Sequence, residues 1–299
     1  MKVQFENLAM TSLMLFLDNK VQSKGEAWAN HTGVFYPADN LYYGYYAYSS
    51  PYKQFVMDAG ISGEAPSNNK PHVVTGVYVD GSFKKVGDAG GPTYIDHTQG
   101  AVYFNSDQSS KTISGNFAVK DFNFFITSES EEELLFETKF DVRPKINENV
   151  TGLSLNKQTY PAAFIKNNGG SNEPFALGGT DITKINARAI LLSDSAFSLD
   201  AACAIMKETT REHVPVITEE NLPFNALGVA KDGSINYKEH LTPGIVDAGS
   251  GMYIKDVTVS KIIANRGDFN NLNPDVFSAF VDFDLELSRD FRWFFKKNI

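Results

Sequence analysis

Between Val73 and Thr127 apolar and polar positions alternate in short runs separated by turn residues, which predicts a series of short β-strands. The segment VVTGVYVDGSFKKV sets Asp80-Gly81 between two alternating stretches. A type I′ turn needs positive φ at both central residues, and Asp-Gly supplies it, so a tight hairpin is expected there. YIDHTQGAVYF repeats the arrangement with a longer turn ending near Gly100. In TISGNFAVKDFNFFIT, Ile113, Phe117 and Val119 occupy odd positions, whereas Phe122, Phe124 and Ile126 occupy even ones. The parity slips once near Lys120-Asp121, and a β-bulge is the expected cause, because one extra residue switches the faces of a strand.

The flanks read differently. Met10, Leu13, Met14, Leu17 and Val21 fit a helical face closed by Gly25, while Leu15 and Leu17 followed by Asp18-Asn19 fit a strand and turn equally well. Ala27–Pro37 and Gln54–Ile61 are expected strands, and the polar EAPSNNKPH that follows has the composition of a linker or domain edge. Further strands are expected at Leu134–Val142, Thr183–Leu192, Met252–Ala264 and Val276–Leu287. Ser195 or Ser198 can cap one principal helix that presents Leu199, Ala202, Cys203 and Met206 on one face and runs to about His213, with Pro215 as the stop. The whole pattern predicts an α+β, β-rich chain of mostly antiparallel sheets. Residues 1–62 and 128–299 are expected to form the core domain, with a C-terminal docking arm, and residues 63–127 a β-sandwich-like module inserted into it.

Composition narrows the function classes. The chain has 299 residues, 42% of them apolar, enough for an ordinary buried core. A formal charge of −9 argues against affinity built on phosphate neutralisation, which requires clustered Lys and Arg. The single cysteine, Cys203, excludes an intramolecular disulfide and reads as a small core residue. Ser12–Leu17 is too short an apolar run for a signal peptide, and no stretch approaches the roughly 20 apolar residues of a membrane helix. The sequons at Asn30 and Asn149 therefore read as coincidences.

Candidate chemistry is sparse. GVAKDGSINYKE, residues 228–239, matches the second half of a calcium loop at Asp232, Gly233, Asn236 and Glu239, but Gly228 and Ala230 stand where oxygen ligands belong, so a β-turn is the preferred reading. Asp194, Ser195, Asp200 and His213 lack a nucleophile elbow and read as helix punctuation. The Gly-Gly pairs complete no phosphate-binding pattern, and the five histidines have no zinc-ligand spacing, so no cofactor, metal or catalytic residue is expected. Glu129, Glu131, Glu132 and Glu133 form an acidic run expected to be solvated.

Aromatic residues are the more informative signal. LYYGYYAYSSPY, residues 41–52, holds six tyrosines in twelve positions, and the chain ends with Phe291, Trp293, Phe294 and Phe295 close together. Such residues bury large areas at low entropic cost and are enriched in protein–protein contacts. The candidate interface set is Tyr42, Tyr43, Tyr45, Tyr46, Tyr48, Phe291, Trp293, Phe294 and Phe295.

The segments YSSPYKQFVMDAGISG, GVYVDGSF through TISGNFAVKDFNFF, and ARAILLSDSAFSLDAACAIM together resemble virion structural proteins of tailed bacteriophages, among neck and tail adaptors, tail terminators and baseplate parts. The resemblance covers about half the chain in texture and short phrases. It implies a non-enzymatic subunit, made in the host cytoplasm and located in the virion, that forms a homo-oligomeric ring with other neck or tail proteins. DNA would pass through the lumen without specific binding, helped by acidic side chains if these face it. Two other classes fit parts of the sequence. A receptor- or carbohydrate-binding module would use the tyrosines and Trp28 as platforms; a polysaccharide hydrolase would need a pair of acids across a cleft, and no pair stands out.

Overall fold

The chain's first element is a helix, α1 (Phe5–Lys24), which decides between the two readings of its apolar run. Residues 12–18 are buried without a break, so the helix is wrapped on all sides and carries no one-sided stripe. The Gly25 N–H donates to the Val21 carbonyl and closes it. The computed structural model describes residues 5–38, 44–62, 69–137, 161–176, 180–223, 234–241, 251–262 and 276–290.

Seven strands form the first sheet: β1 (Trp28–Pro37), β2 (Tyr46–Ser49), β3 (Gly76–Val79), β4 (Ser82–Lys85), β5 (Tyr94–Asp96), β6 (Ala101–Phe104) and β7 (Ile113–Lys120), in the order β4-β3-β7-β1-β2-β6-β5. The expected hairpin sits between β3 and β4, with φ 48° at Asp80 and 79° at Gly81. The longer turn joins β5 to β6 and ends on Gly100 at φ 62°, where a Cβ would strike the Tyr52 carbonyl. β1 serves both halves of the sheet, pairing with β7 through Phe35 and with β2 at Tyr36 and Pro37. One apolar cluster draws Phe35, Val77, Ile113 and Phe117 from one half and Tyr48, Ile95, Val102 and Phe104 from the other, a sandwich-like arrangement. Since β1 and β2 are part of it, this sheet starts at Trp28, upstream of the expected boundary at residue 63.

Gln54–Ile61 is not a strand. Gln54 and Phe55 donate to the Thr98 and His97 carbonyls while Val56 donates to Ala118, so the segment stitches the turn after β5 to β7 and alternates partners without building a ladder. It then enters α2 (Ala59–Ser62).

The second sheet contains β8 (Asn123–Ile126), β9 (Ala162–Ala176), β10 (Thr180–Ser193), β11 (His213–Pro215), β12 (Gly251–Ile262) and β13 (Phe277–Asp290), ordered β11-β12-β13-β10-β9-β8. Among the described strands of this sheet only the β8–β9 pair is parallel, so the chain is α+β and mostly antiparallel. α1 and α3 (Ala196–Glu208) supply Leu13, Leu17, Leu199 and Met206 to the same core as Ile165, Ala189, Val281 and Ile254. Ser195 caps α3, and Cys203 lies in this core. The helix stops at Glu208, earlier than expected, because His213 already opens β11 against Tyr253.

Two other expectations change. Leu134 and Leu135 lie on a helical turn, π-helical over Glu133–Glu137, and the rest of the strand expected to Val142 lies outside the described residues. Its start is a capping box: the Ser130 N–H donates to Glu133 Oε2 at 2.6 Å and the Glu133 N–H to Ser130 Oγ at 3.1 Å. The parity slip at Lys120-Asp121 is no bulge. The chain leaves the first sheet after Lys120 and joins the second at Asn123, so Phe122 and Phe124 enter a different core from Phe117 and Val119.

Beyond Ile165, β9 has no neighbour on its outer side among the described residues. A bulge sits there: Asn168 and Gly169 find no opposite residue, Gly169 takes φ 92°, and a Cβ on Gly170 would collide with the Lys184 carbonyl. Pro174, which has no N–H, follows on the same edge.

The two cores meet where α1 passes the end of β7. Lys120 Nζ lies 2.7 Å from Asp18 Oδ2, and each side chain is only 5% exposed. Nearby, Asp121 N–H donates to the Ala27 carbonyl and Gln22 Nε2 to the Phe122 carbonyl. Removing one partner strands a buried charge, so Asp18→Ala or Lys120→Ala should cost about 3–5 kcal/mol in urea denaturation, and the double variant Asp18→Leu/Lys120→Met should recover most of it. A loss in the double variant equal to the sum of the two single losses would show that the pair is not coupled.

His97, in the first sheet's turn, donates from Nε2 to the Val74 carbonyl at 3.1 Å. Burial pushes its pKa down from 6.5 to about 4, with the charge of Lys120 acting the same way and the Val74 bond opposing. Between those values the unfolded chain holds the extra proton. Stability should therefore be complete above about pH 6.5 and decline by roughly 3 kcal/mol as pH falls towards 4. His97→Gln should flatten this part of the profile, measured as unfolding midpoint against pH.

Candidate functional site

Among the described residues, the only buried carboxylate that gathers three separate elements is Asp58. Its Oδ1 accepts from the Gly60 N–H at 2.8 Å, fixing α2, and from the Tyr237 N–H at 3.0 Å, fixing α4 (Tyr237–His240). Its Oδ2 accepts from Asn19 Nδ2 of α1 at 2.6 Å. An isolated bridge to Ile235 adds backbone pairing. Burial raises the Asp58 carboxyl above its ordinary range, and the three donors act against that rise. Tyr237, packed on Phe16, is pushed up by burial as well, and its hydroxyl stays neutral and unpartnered.

Above this knot opens a cleft of about 380 Å³. It is lined by Asn19 and Gln22 from the C-terminal part of α1, by Gly60, Ile61, Lys238 and Leu241, and by Trp28 and the Asn69–Pro71 segment. Gln22 is fully buried, and with Nε2 committed to the Phe122 carbonyl its Oε1 has no partner. Trp28 follows a turn in which Glu26 takes φ 48°, an uncommon conformation for a residue with a side chain, and its N–H donates to the Glu26 carbonyl. The lining therefore combines one indole, the amide residues Asn19, Gln22 and Asn69, and the charged residues Glu26, Lys70 and Lys238.

A second feature is the outer face of the first sheet. The registers Tyr78↔Phe83, Tyr78↔Ser114 and Val34↔Ser114 place these residues in one row across four strands, with Tyr36 next on the same face of β1. Phe83 and Tyr36 are each 45% exposed and Val34 39%. Further round, Tyr94 stacks on Tyr103 at 4.3 Å and Tyr45 meets Tyr94 edge-on at 5.5 Å.

Of the tyrosines proposed from sequence, Tyr45 joins this cluster and Tyr46 is 36% exposed. Tyr48 is a correction: it is 3% exposed, packs on Phe104 inside the first core, and its hydroxyl accepts from the Gln108 N–H, so its ring is not available to a partner. Strand alternation explains it, since Tyr48 opposes Val102 on the inward face. Tyr42, Tyr43, Phe291, Trp293, Phe294 and Phe295 lie outside the described residues, as do Asp232 and Gly233 of the calcium-like loop. Within the acidic run, Glu133 serves the capping box and Glu131 pairs with Arg188 at 2.8 Å, which also grips Asp282 with two bonds. Ser195, Asp200 and His213 separate into a helix cap, an ion pair with Lys261 and a ring contact with Tyr253. Among the described residues no helix is long and apolar enough to cross a membrane.

The sequence reading missed the cleft, because its walls come from three stretches far apart and no local motif marks them; Trp28 was the one legible signal. No model of a known protein family matches the chain, and no curated protein matches it either.

Replacing Asp58 by Ala leaves the Gly60 and Tyr237 N–H groups without an acceptor and should destabilise the chain by about 2–4 kcal/mol, with faster amide exchange at both positions. Asp58→Asn keeps an Oδ1 acceptor and should cost clearly less. Equal losses in the two variants would mean that side-chain volume, not acceptor geometry, holds the knot.

Proposed function

We propose that this protein is a structural subunit that works by protein–protein contact, assembling with copies of itself and with neighbouring proteins into a ring of the neck or tail of a tailed-phage virion. The observation that carries the reading is the row on the outer face of the first sheet in which Phe83, Val34 and Tyr36 are exposed and Tyr78 is half-buried between them. A rigid sheet that leaves aromatic side chains in water gains by covering them, at about 1.5–3 kcal/mol for each large side chain fully buried. The virion setting rests on the resemblance in sequence texture. The net charge of −9 supports a passage that DNA traverses without being held.

Sedimentation and light scattering over a range of concentrations test the assembly. The expected result is a discrete oligomer for the native chain and dissociation of Tyr36→Glu and Phe83→Glu, with unfolding temperatures little changed because both positions are solvent-facing. A chain that stays monomeric at every concentration, alone and with its purified particle partners, would overturn it.

A further inference from the structure

Resting on the assembly proposed above, we infer that β1 takes an additional strand on its free margin, and that this strand is the segment Phe291–Phe295 of a neighbouring copy. Antiparallel pairing sends alternate residues of β1 to opposite sides. The Asp121 N–H donates to the Ala27 carbonyl, so the odd positions from Ala27 to Phe35 bond towards β7. Tyr36 pairs with Ser49 and the Ala38 N–H donates to the Ala47 carbonyl, so the even positions face the other way, where β2 reaches only Tyr36 and Pro37. The N–H and C=O groups of Asn30, Thr32 and Val34 point to that same side, and no strand among the described residues pairs with them. Thr32 and Val34 are exposed there.

Other free margins in the molecule carry devices that discourage pairing. β4 presents Lys84 and Lys85, β9 has its bulge and Pro174, and β12 has a register shift with Lys255 and Asp256 beside it. β1 has none of these. Ala29–Phe35 contains no proline and no Lys, Arg, Asp or Glu, and the register with β7 runs without a shift from Trp28 to Phe35. A straight, uncharged edge is a template for an extended segment, whose main chain supplies the missing partners.

The place where β13 ends selects the segment. β8 leaves the junction at Asn123, β9 runs parallel to it, β10 returns and β13 runs out again, so Asp290 lies at the end of the second sheet remote from Lys120. At about 3.3 Å per residue β13 spans roughly 45 Å. Phe295 comes five residues after Asp290 and lies at most about 18 Å from it, too short a reach to return along β13 to the β1 of the same chain. The segment therefore meets the edge of another copy. Phe291, Trp293 and Phe295 alternate, so an extended conformation gathers them on one face and brings apolar area to bury as well as a ladder. The arm of one copy on the β1 of the next is a head-to-tail contact, the kind that closes into a ring.

Sedimentation of the full chain, alone and with its particle partners, tests this with two variants. Thr32→Pro removes an outward N–H that the ladder with β7 does not use, and Trp293→Asp spoils the arm. Each variant by itself should dissociate at a concentration about tenfold or more above that of the native chain. An equimolar mixture of the two should form a one-to-one dimer, because the first keeps an intact arm and the second an intact edge. Trp293→Asp leaves β1 untouched, so it reads the contact even where Thr32→Pro does not fold. An oligomer that survives both substitutions, or variants that dissociate and are not rescued by mixing, would overturn the inference and leave the assembly standing. A native chain that is monomeric at every concentration, with and without its partners, would overturn both.

Discussion

Everything in this molecule turns on the short stretch where the chain passes from one hydrophobic core to another. Lys120 ends the first sheet and Asn123 begins a strand of the second, and between them the backbone has only two residues in which to reorient. A buried ion pair holds that place: Lys120 reaches Asp18 of α1 with almost no water present. In such surroundings a lysine and an aspartate tolerate only one another, so the pair fixes the angle at which helix and sheet meet. Gln22 and Ala27 accept the same constraint from the other side, by bonding to Phe122 and Asp121. The first sheet therefore begins and ends at one spot on α1.

That single anchorage explains where the cleft lies. With β1 leaving α1 at Trp28 and β7 returning at Lys120, the segment after Phe55 has to run back along the helix, and Asp58 pins it there. The indole is thus carried by one sheet while the amides are carried by the helix of the other core. Rigid elements on both sides, and not a long loop, set the separation between them. The aromatic row lies farther along β1, at Val34 and Tyr36, and shares no residue with the cleft.

Much of the local structure was legible because local chemistry decided it. Asp80-Gly81 could only be a tight turn, Ser195 was one of two candidate caps, and β10, β12 and β13 announced themselves by alternation. What failed was anything that depended on which distant segment a residue would face. The change of parity after Val119 was visible, but a sequence shows that faces switch and not that a second sheet is waiting to receive Phe122. α1 was ambiguous because burial on all sides erases the periodicity that would identify it. Tyr46 and Tyr48 look alike in the tyrosine run, yet Tyr48 opposes Val102 under the sheet and Tyr46 stands at its margin. The Asp58 knot joins residues 19, 58, 60 and 237, a combination no spacing rule could propose.

The outer border of β9 bears on how such a chain behaves when crowded. Two glycines and a proline within six residues, with one pair of positions out of step, give that border a crooked profile to which no straight strand can zip. A border of that shape offers no template to a strand of a second copy, which keeps this edge of the described sheet from seeding fibrils.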